Sequence, residues 1–203
     1  METEKYSLSF TSATLLHRES VLVAELYLQM KDWNEVRCKV IAENLLQSRT
    51  LNTSKRIYSE VSSRLKTCSL KELEFLIDGT LEEQGHLLWI AICRRYKFIG
   101  DFSMEVLREL CISLKYVLTH DDFDAFFNRK AEWHDELEKI QPSTRTKLRQ
   151  FLFKMLQEVG FLTGKTTISP IILSPRILKL MEKNSYEDMR FFPTLDSHLI
   201  PQK

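Results

Sequence analysis

The segment Pro142–Ser169, PSTRTKLRQFLFKMLQEVGFLTGKTTIS, carries two periodicities in succession. Leu148, Phe151, Leu152, Met155, Leu156 and Val159 recur at i, i+3, i+4, i+7, i+8 and i+11, which predicts one amphipathic helix from Ser143, its N-cap, to Val159. Gly160 stops that helix. Beyond it, Phe161-Leu162-Thr163 and Thr167-Ile168-Ser169 flank Gly164-Lys165-Thr166, the pattern of a short β-hairpin with a basic tip. Ile171–Leu173 can extend the second strand, and Pro170 marks that strand as an edge. Ser174-Pro175 then opens a last helix over Arg176–Lys183. Helix, helix, Pro-Ser turn, amphipathic helix, glycine and basic hairpin is the order of a winged helix-turn-helix. In such modules the second helix of the motif enters the major groove and the hairpin touches the backbone nearby.

Charge follows the same boundary. From Ser143 to Lys183 eight basic residues oppose only Glu158 and Glu182, a net +6 in a chain whose formal charge is +1. Thr119–Gln141 is acidic, at −4. On the 143–159 helix the face opposite the apolar stripe holds Ser143, Thr146, Lys147, Gln150, Phe153, Lys154 and Gln157, with Arg145 and Arg149 at its edges. Arg145, Lys147, Arg149, Lys154 and the hairpin residue Lys165 are therefore the expected DNA-contacting cations. Five neutralised phosphates would give a salt dependence with a log–log slope of roughly −4 to −5. Phe153 on that face fits a protein contact better than a groove. A secondary basic patch lies upstream, where Lys55, Arg56, Arg64 and Lys66 stand with Arg49 and Lys71 against Glu60 alone.

All five prolines lie at or beyond Pro142, and residues 1–141 read as almost entirely helical. Helices are expected over 14–30, 33–47, 53–66, 69–78, 82–98, 103–118 and 119–139. Asp32 and Ser69 serve as caps, Gly100-Asp101 as punctuation, and Thr119 or His120 as the cap of an acidic helix. The chain is thus expected to be mainly α, a helical bundle over 1–141 followed by a winged-helix-like segment over 142–203 that packs with it.

Chemistry-bearing motifs are scarce. The five histidines are scattered, and the sequence neighbours His134-Asp135-Glu136 point to different helical faces. Helix capping accounts for Asp121 and Asp122 beside His120 more simply than a metal does. There is no phosphate-binding glycine loop, no Gly-x-Ser-x-Gly elbow and no His-Glu-x-x-His. The expectation is a non-enzymatic protein with no cofactor or metal. Cys38, Cys68, Cys93 and Cys111 share no Cys-x-x-Cys spacing and read as free thiols in helices, which suits a reducing cytoplasm. The amino-terminal METEKYSLSF lacks the pattern of a secretory signal, and the longest apolar run, Leu87–Cys93, is far short of the roughly 20 residues of a membrane span.

Tyr6-Ser-Leu-Ser-Phe-Thr-Ser, Arg18-Glu-Ser-Val-Leu-Val-Ala-Glu-Leu-Tyr-Leu, Asp32-Trp-Asn-Glu-Val-Arg and Asn44-Leu-Leu-Gln-Ser-Arg-Thr resemble the BrxA family of bacteriophage exclusion (BREX) islands, as does Thr146–Leu162. The resemblance spans nearly the whole chain and rests on helix and turn residues, with no catalytic signature. It implies a role in bacterial anti-phage defence beside a methyltransferase, an ATPase and other BREX proteins. It also implies a helical core similar to the antitermination factor NusB, and an ability to bind DNA. The leading expectation is a double-stranded DNA-binding component of such a system. The alternatives are an assembly adaptor for other defence proteins or for copies of itself, and an RNA-binding factor of NusB type.

Overall fold

A computed structural model describes residues 5–184 and 186–194. It is mainly α-helical, with one small two-stranded antiparallel sheet. The chain forms two compact units, one of residues 15–95 and one of residues 96–203 together with 1–14. The Gln141–Pro142 junction falls inside the second of these.

The 15–95 unit consists of α1 (His17–Met30), α2 (Trp33–Ala42), α3 (Leu51–Leu65), α4 (Leu70–Asp78) and α5 (Leu81–Arg95). The starts of α2, α3 and α4 have local causes. The Asp32 carboxylate accepts the N–H groups of Asn34 and Glu35, Thr50 caps α3 through the Thr53 N–H, and Ser69 and Glu72 form a reciprocal capping box. Helix α2 ends five residues earlier than its sequence pattern suggests. Asn44 and Gln47 turn the chain in the left-handed region, and the Asn44 side chain holds both the N–H and the C=O of Ser48. Every residue from Gly85 to Cys93 is buried, so α5 is the apolar centre of this unit, with Trp89 fully enclosed.

Ion pairs lie in this core. Arg94 of α5 grips Glu72 of α4 with both nitrogens, at 2.7 and 3.1 Å, and donates a further bond to the Thr67 carbonyl. On α3, Arg64 donates to Glu60 one turn earlier at 2.8 Å, and both side chains are buried. Burial works to raise the Glu72 carboxyl, but the Arg94 guanidinium and the Ser69 N–H outweigh it and hold the group below its ordinary range. His86, also buried, is likewise lowered, here by desolvation itself, which favours its neutral form.

In the second unit α6 (Lys97–Phe102) runs through a π-helical turn, Ser103–Leu107, into α7 (Arg108–Ile112). Gly100-Asp101, expected as punctuation, therefore lies inside a helix. Gly100 is buried, and Asp101 accepts bonds from the Tyr6 hydroxyl and from Lys130 Nζ. Ser103 Oγ donates back to the Ile99 carbonyl at 2.8 Å, competition within the ladder of the kind that accompanies helix distortion. The expected 119–139 helix is two: α8 (His120–Ala131), capped by a Thr119–Asp122 box, and the single turn α9 (Asp135–Glu138). The break accommodates His134, whose ring stacks on Tyr6 at 4.0 Å while Glu136 accepts the Tyr6 N–H. Tyr6, Phe10, Phe98, Phe102, Phe123 and Phe126 form the aromatic core around these helices.

Helix α10 spans Pro142–Glu158, with Gln141 rather than Ser143 at the N-cap and Pro142 in the first turn. Gly160, at φ +87°, ends it as expected. Strands β1 (Leu162–Thr163) and β2 (Thr167–Ile168) form the hairpin, pairing Leu162 with Ile168 and Thr163 with Thr167. The sheet does not continue into Ile171–Leu173, because the Ile171 N–H turns to the Pro193 carbonyl. Helix α11 (Pro175–Asn184) and a 3-10 turn, Tyr186–Phe191, follow. The four cysteines are free thiols. Cys93 and Cys111 are buried, whereas Cys38 is exposed on α2.

A depressed carboxyl contributes stability that is complete above its unfolded value, here 4.5, and is lost as pH falls through the folded value. Glu72→Gln should therefore cost about 3 kcal/mol at neutral pH. In urea titrations wild type and variant should converge as the pH drops below 4.5, and a constant gap would refute the assignment. Neutral, buried His86 adds an earlier acid sensitivity, beginning near its unfolded value of 6.5.

Candidate nucleic-acid interface

Helix α10 meets the rest of its unit through Leu148, Leu152, Phe153, Met155 and Leu156, all buried. Phe153 lies on the inner side, edge-on to His120 at 5.1 Å. The outer side is one stripe. Ser143, Lys147, Gln150, Lys154 and Gln157 follow each other at i, i+4, i+7, i+11 and i+14, and all are exposed. From Lys147 to Lys154 is about 10 Å along the axis.

Arg145 and Arg149 are placed differently. Arg145 Nε donates to Asp124 Oδ1 at 2.8 Å, its two terminal nitrogens bond the Asn128 side chain and the Asp124 carbonyl, and its guanidinium lies 4.5 Å from the centre of the Phe127 ring. Arg149 donates to the other oxygen of Asp124. Both arginines thus point from α10 to α8, converge on a single carboxylate, and fix the packing of the two helices. A planar fork that donates several bonds at once is suited to such a clamp. The exposed cations on this face are Lys147, Lys154 and Lys165, and Lys154 lies 3.9 Å from Glu158.

The hairpin is attached at both edges. Gln157 Nε2 donates to the Gly164 carbonyl at 2.8 Å, tying the turn that carries Lys165 to the end of the exposed stripe. On the other side Val117 forms a β-bridge with Thr167, flanked by the bonds Leu118 N–H to Thr166 C=O and Ile168 N–H to Tyr116 C=O. The segment just before α8 therefore adds a third extended chain beside β2. Gly164 takes φ +61°, which the tight turn requires. Neither tether nor bridge has a sequence signal: one glutamine and one valine suffice.

In the 15–95 unit Lys55, Arg56 and Lys66 are exposed on or just beyond α3, whereas Arg64 is 1% exposed and bound to Glu60. The secondary patch therefore comprises three of its four expected members. No group of three or more His, Cys, Asp or Glu side chains is placed to hold a metal among the described residues. None of the helices is long and apolar enough to cross a membrane among those residues either.

Known proteins resemble this chain. A relative from Escherichia coli O9:H4 (strain HS), "BREX protein BrxA", is 25% identical over 177 residues, 86% of this chain and 83% of its own length. One of the same name from Paramagnetospirillum magneticum (strain ATCC 700264 / AMB-1) is 24% identical, covering 91% of this chain and 94% of its own. A crystal structure of an uncharacterized protein from Magnetospirillum magneticum superimposes with a TM-score of 0.81 at 21% identity, over 94% of this chain and 100% of that one, and establishes the likeness of fold. The BrxA family model matches residues 4–185, nearly the whole length, and the chain accordingly belongs to the BrxA family.

Proposed function

We propose that this chain is a component of a BREX phage-defence system, that it works in the cytoplasm beside the other BREX proteins, and that it binds double-stranded DNA without catalysing a reaction. The BREX setting comes from the names of the relatives. The DNA reading is carried by one observation: an outward stripe of lysine, glutamine and serine on α10 that runs into a hairpin tethered to it by Gln157. Helix, bridge, helix, helix and hairpin, with the Val117 segment beside β2, is the order of a winged helix, whose second motif helix fits the major groove. In this reading Lys147, Lys154 and Lys165 contact phosphates and Gln150, between the two helix lysines, faces base edges. Arg145 and Arg149 act through the position of the helix.

A second reading, docking to another BREX protein, is favoured by exposed apolar side chains. Ile112, Leu114 and Val117 lie close together in sequence ahead of α8, with Leu114 65% and Val117 55% exposed. Capture of BREX partners that survives nuclease treatment, with no duplex binding by the pure protein, would favour it.

The two kinds of cation separate in experiment. Lys147→Glu/Lys154→Glu should weaken binding of a labelled duplex at least 10-fold and make the salt slope shallower by about 2, at roughly 0.9 per phosphate contact. Unchanged affinity in that double variant rules out the α10 face. Asp124→Asn should instead lower stability by about 2 kcal/mol in urea titrations, through loss of charge-assisted bonds, and, because it releases Arg145 and Arg149, leave the slope no shallower than in wild type. Parallel titrations with single-stranded DNA and structured RNA test whether duplex DNA is the preferred ligand.

A further inference from the structure

The structure redistributes the charge of the 15–95 unit in a way that singles out α3. Between Asn44 and Lys71 the chain contains one acidic residue, Glu60. That carboxylate is buried and held by Arg64, itself buried, so the pair cancels within the core. The exposed side chains of residues 44–71 include no acid, and the carboxylate whose charge reaches α3, at Tyr58, is Asp32 beside Trp33. Asn52, Lys55, Arg56, Ser59 and Lys66 are exposed at i, i+3, i+4, i+7 and i+14, a single face about 20 Å long, and exposed Arg49 and Lys71 flank it in sequence. Such a surface is unusual in a chain with 28 acidic and 29 basic residues, where both signs would ordinarily be interspersed. Its end is also organised: Lys66 Nζ lies 5.6 Å above the Trp33 ring, that ring stacks on Tyr27 at 3.9 Å, and the Tyr58 hydroxyl donates to the Trp33 carbonyl. The α10 face is more fully neutralised, with two arginines engaged by Asp124 and Lys154 close to Glu158.

We propose that the exposed face of α3 is a second phosphate-binding surface, which takes the backbone of duplex DNA through Lys55, Arg56 and Lys66 independently of α10. The proposal rests on the duplex-DNA reading above and extends it to the other compact unit. A duplex carries one charge per ~1.7 Å of axis, so a straight basic strip of this length meets several phosphates at once and selects no sequence. Binding would then draw on two surfaces, one able to read bases and one purely electrostatic.

Salt dependence distinguishes one surface from two. Three lysines on α10 and the hairpin account for a slope near −3, and three more cations on α3 bring it to roughly −5. Fluorescence anisotropy with a 30-base-pair duplex should show Lys55→Glu/Arg56→Glu/Lys66→Glu at least 10-fold weaker at 100 mM salt, with a slope shallower by 2 to 3. The milder Lys55→Gln/Arg56→Gln/Lys66→Gln variant should lose the same slope with a smaller loss of affinity. Lys55 and Arg56 are exposed, whereas Lys66 gives up its contact with the Trp33 ring, so thermal melts should fall slightly and still show one cooperative folded state. Wild-type affinity and slope in the triple-Glu protein overturn the proposal while leaving the α10 reading intact. The same result accompanied by altered self-association in sedimentation also overturns it, assigning the strip to an acidic protein surface. Loss in the α3 variant with none in Lys147→Glu/Lys154→Glu upholds α3 and removes α10. A wild-type protein without affinity for the duplex defeats both.

Discussion

Asp124 receives two guanidinium groups at once, and the orientation of α10 depends on that junction. A lone half-buried carboxylate on α8 would be costly, as would two partly buried arginines without an anion. Together they pin the first half of α10 while its apolar stripe closes on the interior, and only one face of the helix is left outward. The same rule recurs in the protein: Glu60 with Arg64, Glu72 with Arg94, and Asp101 and Glu105 with Lys130. Internal pairing therefore determines which cations are available to a ligand, and net charge alone does not.

Much of the fold was legible in the sequence because it rests on local physics. The stripe from Leu148 to Val159, the stop at Gly160, the hairpin around Lys165, the cap at Ser69 and the cap at Thr119, one of two candidates there, depend on residues within a few positions of each other. Gly100 misled for the opposite reason, since burial in a packed helix overrides its intrinsic preference. The long acidic helix broke at Glu132–His134 because Tyr6, more than a hundred residues away, takes His134 as a stacking partner.

The candidate site was legible in composition but not in pairing. Charge counts placed Arg145, Lys147 and Arg149 on equal terms, and nothing within the helix distinguishes them. Asp124 does, from 21 and 25 residues away. Arg64 was equally indistinguishable from Lys66 until its burial against Glu60 was seen. Phe153, an awkward residue for a groove-facing surface, turns inward to His120 and leaves that surface polar.

The amino-terminal segment has one further consequence, for the order in which the protein can be completed during synthesis. Tyr6 bonds to Asp101 and Glu136, 95 and 130 residues later in the chain. The whole 15–95 unit, with its own core around α5, is translated before either partner exists. Tyr6 is thus translated ahead of the 15–95 unit yet seated only after it, and its side chain lacks these partners throughout that interval. Any nascent chain that stalls before Glu136 presents Tyr6 and Phe10 to its surroundings, a liability that a chaperone or an early partner would have to cover.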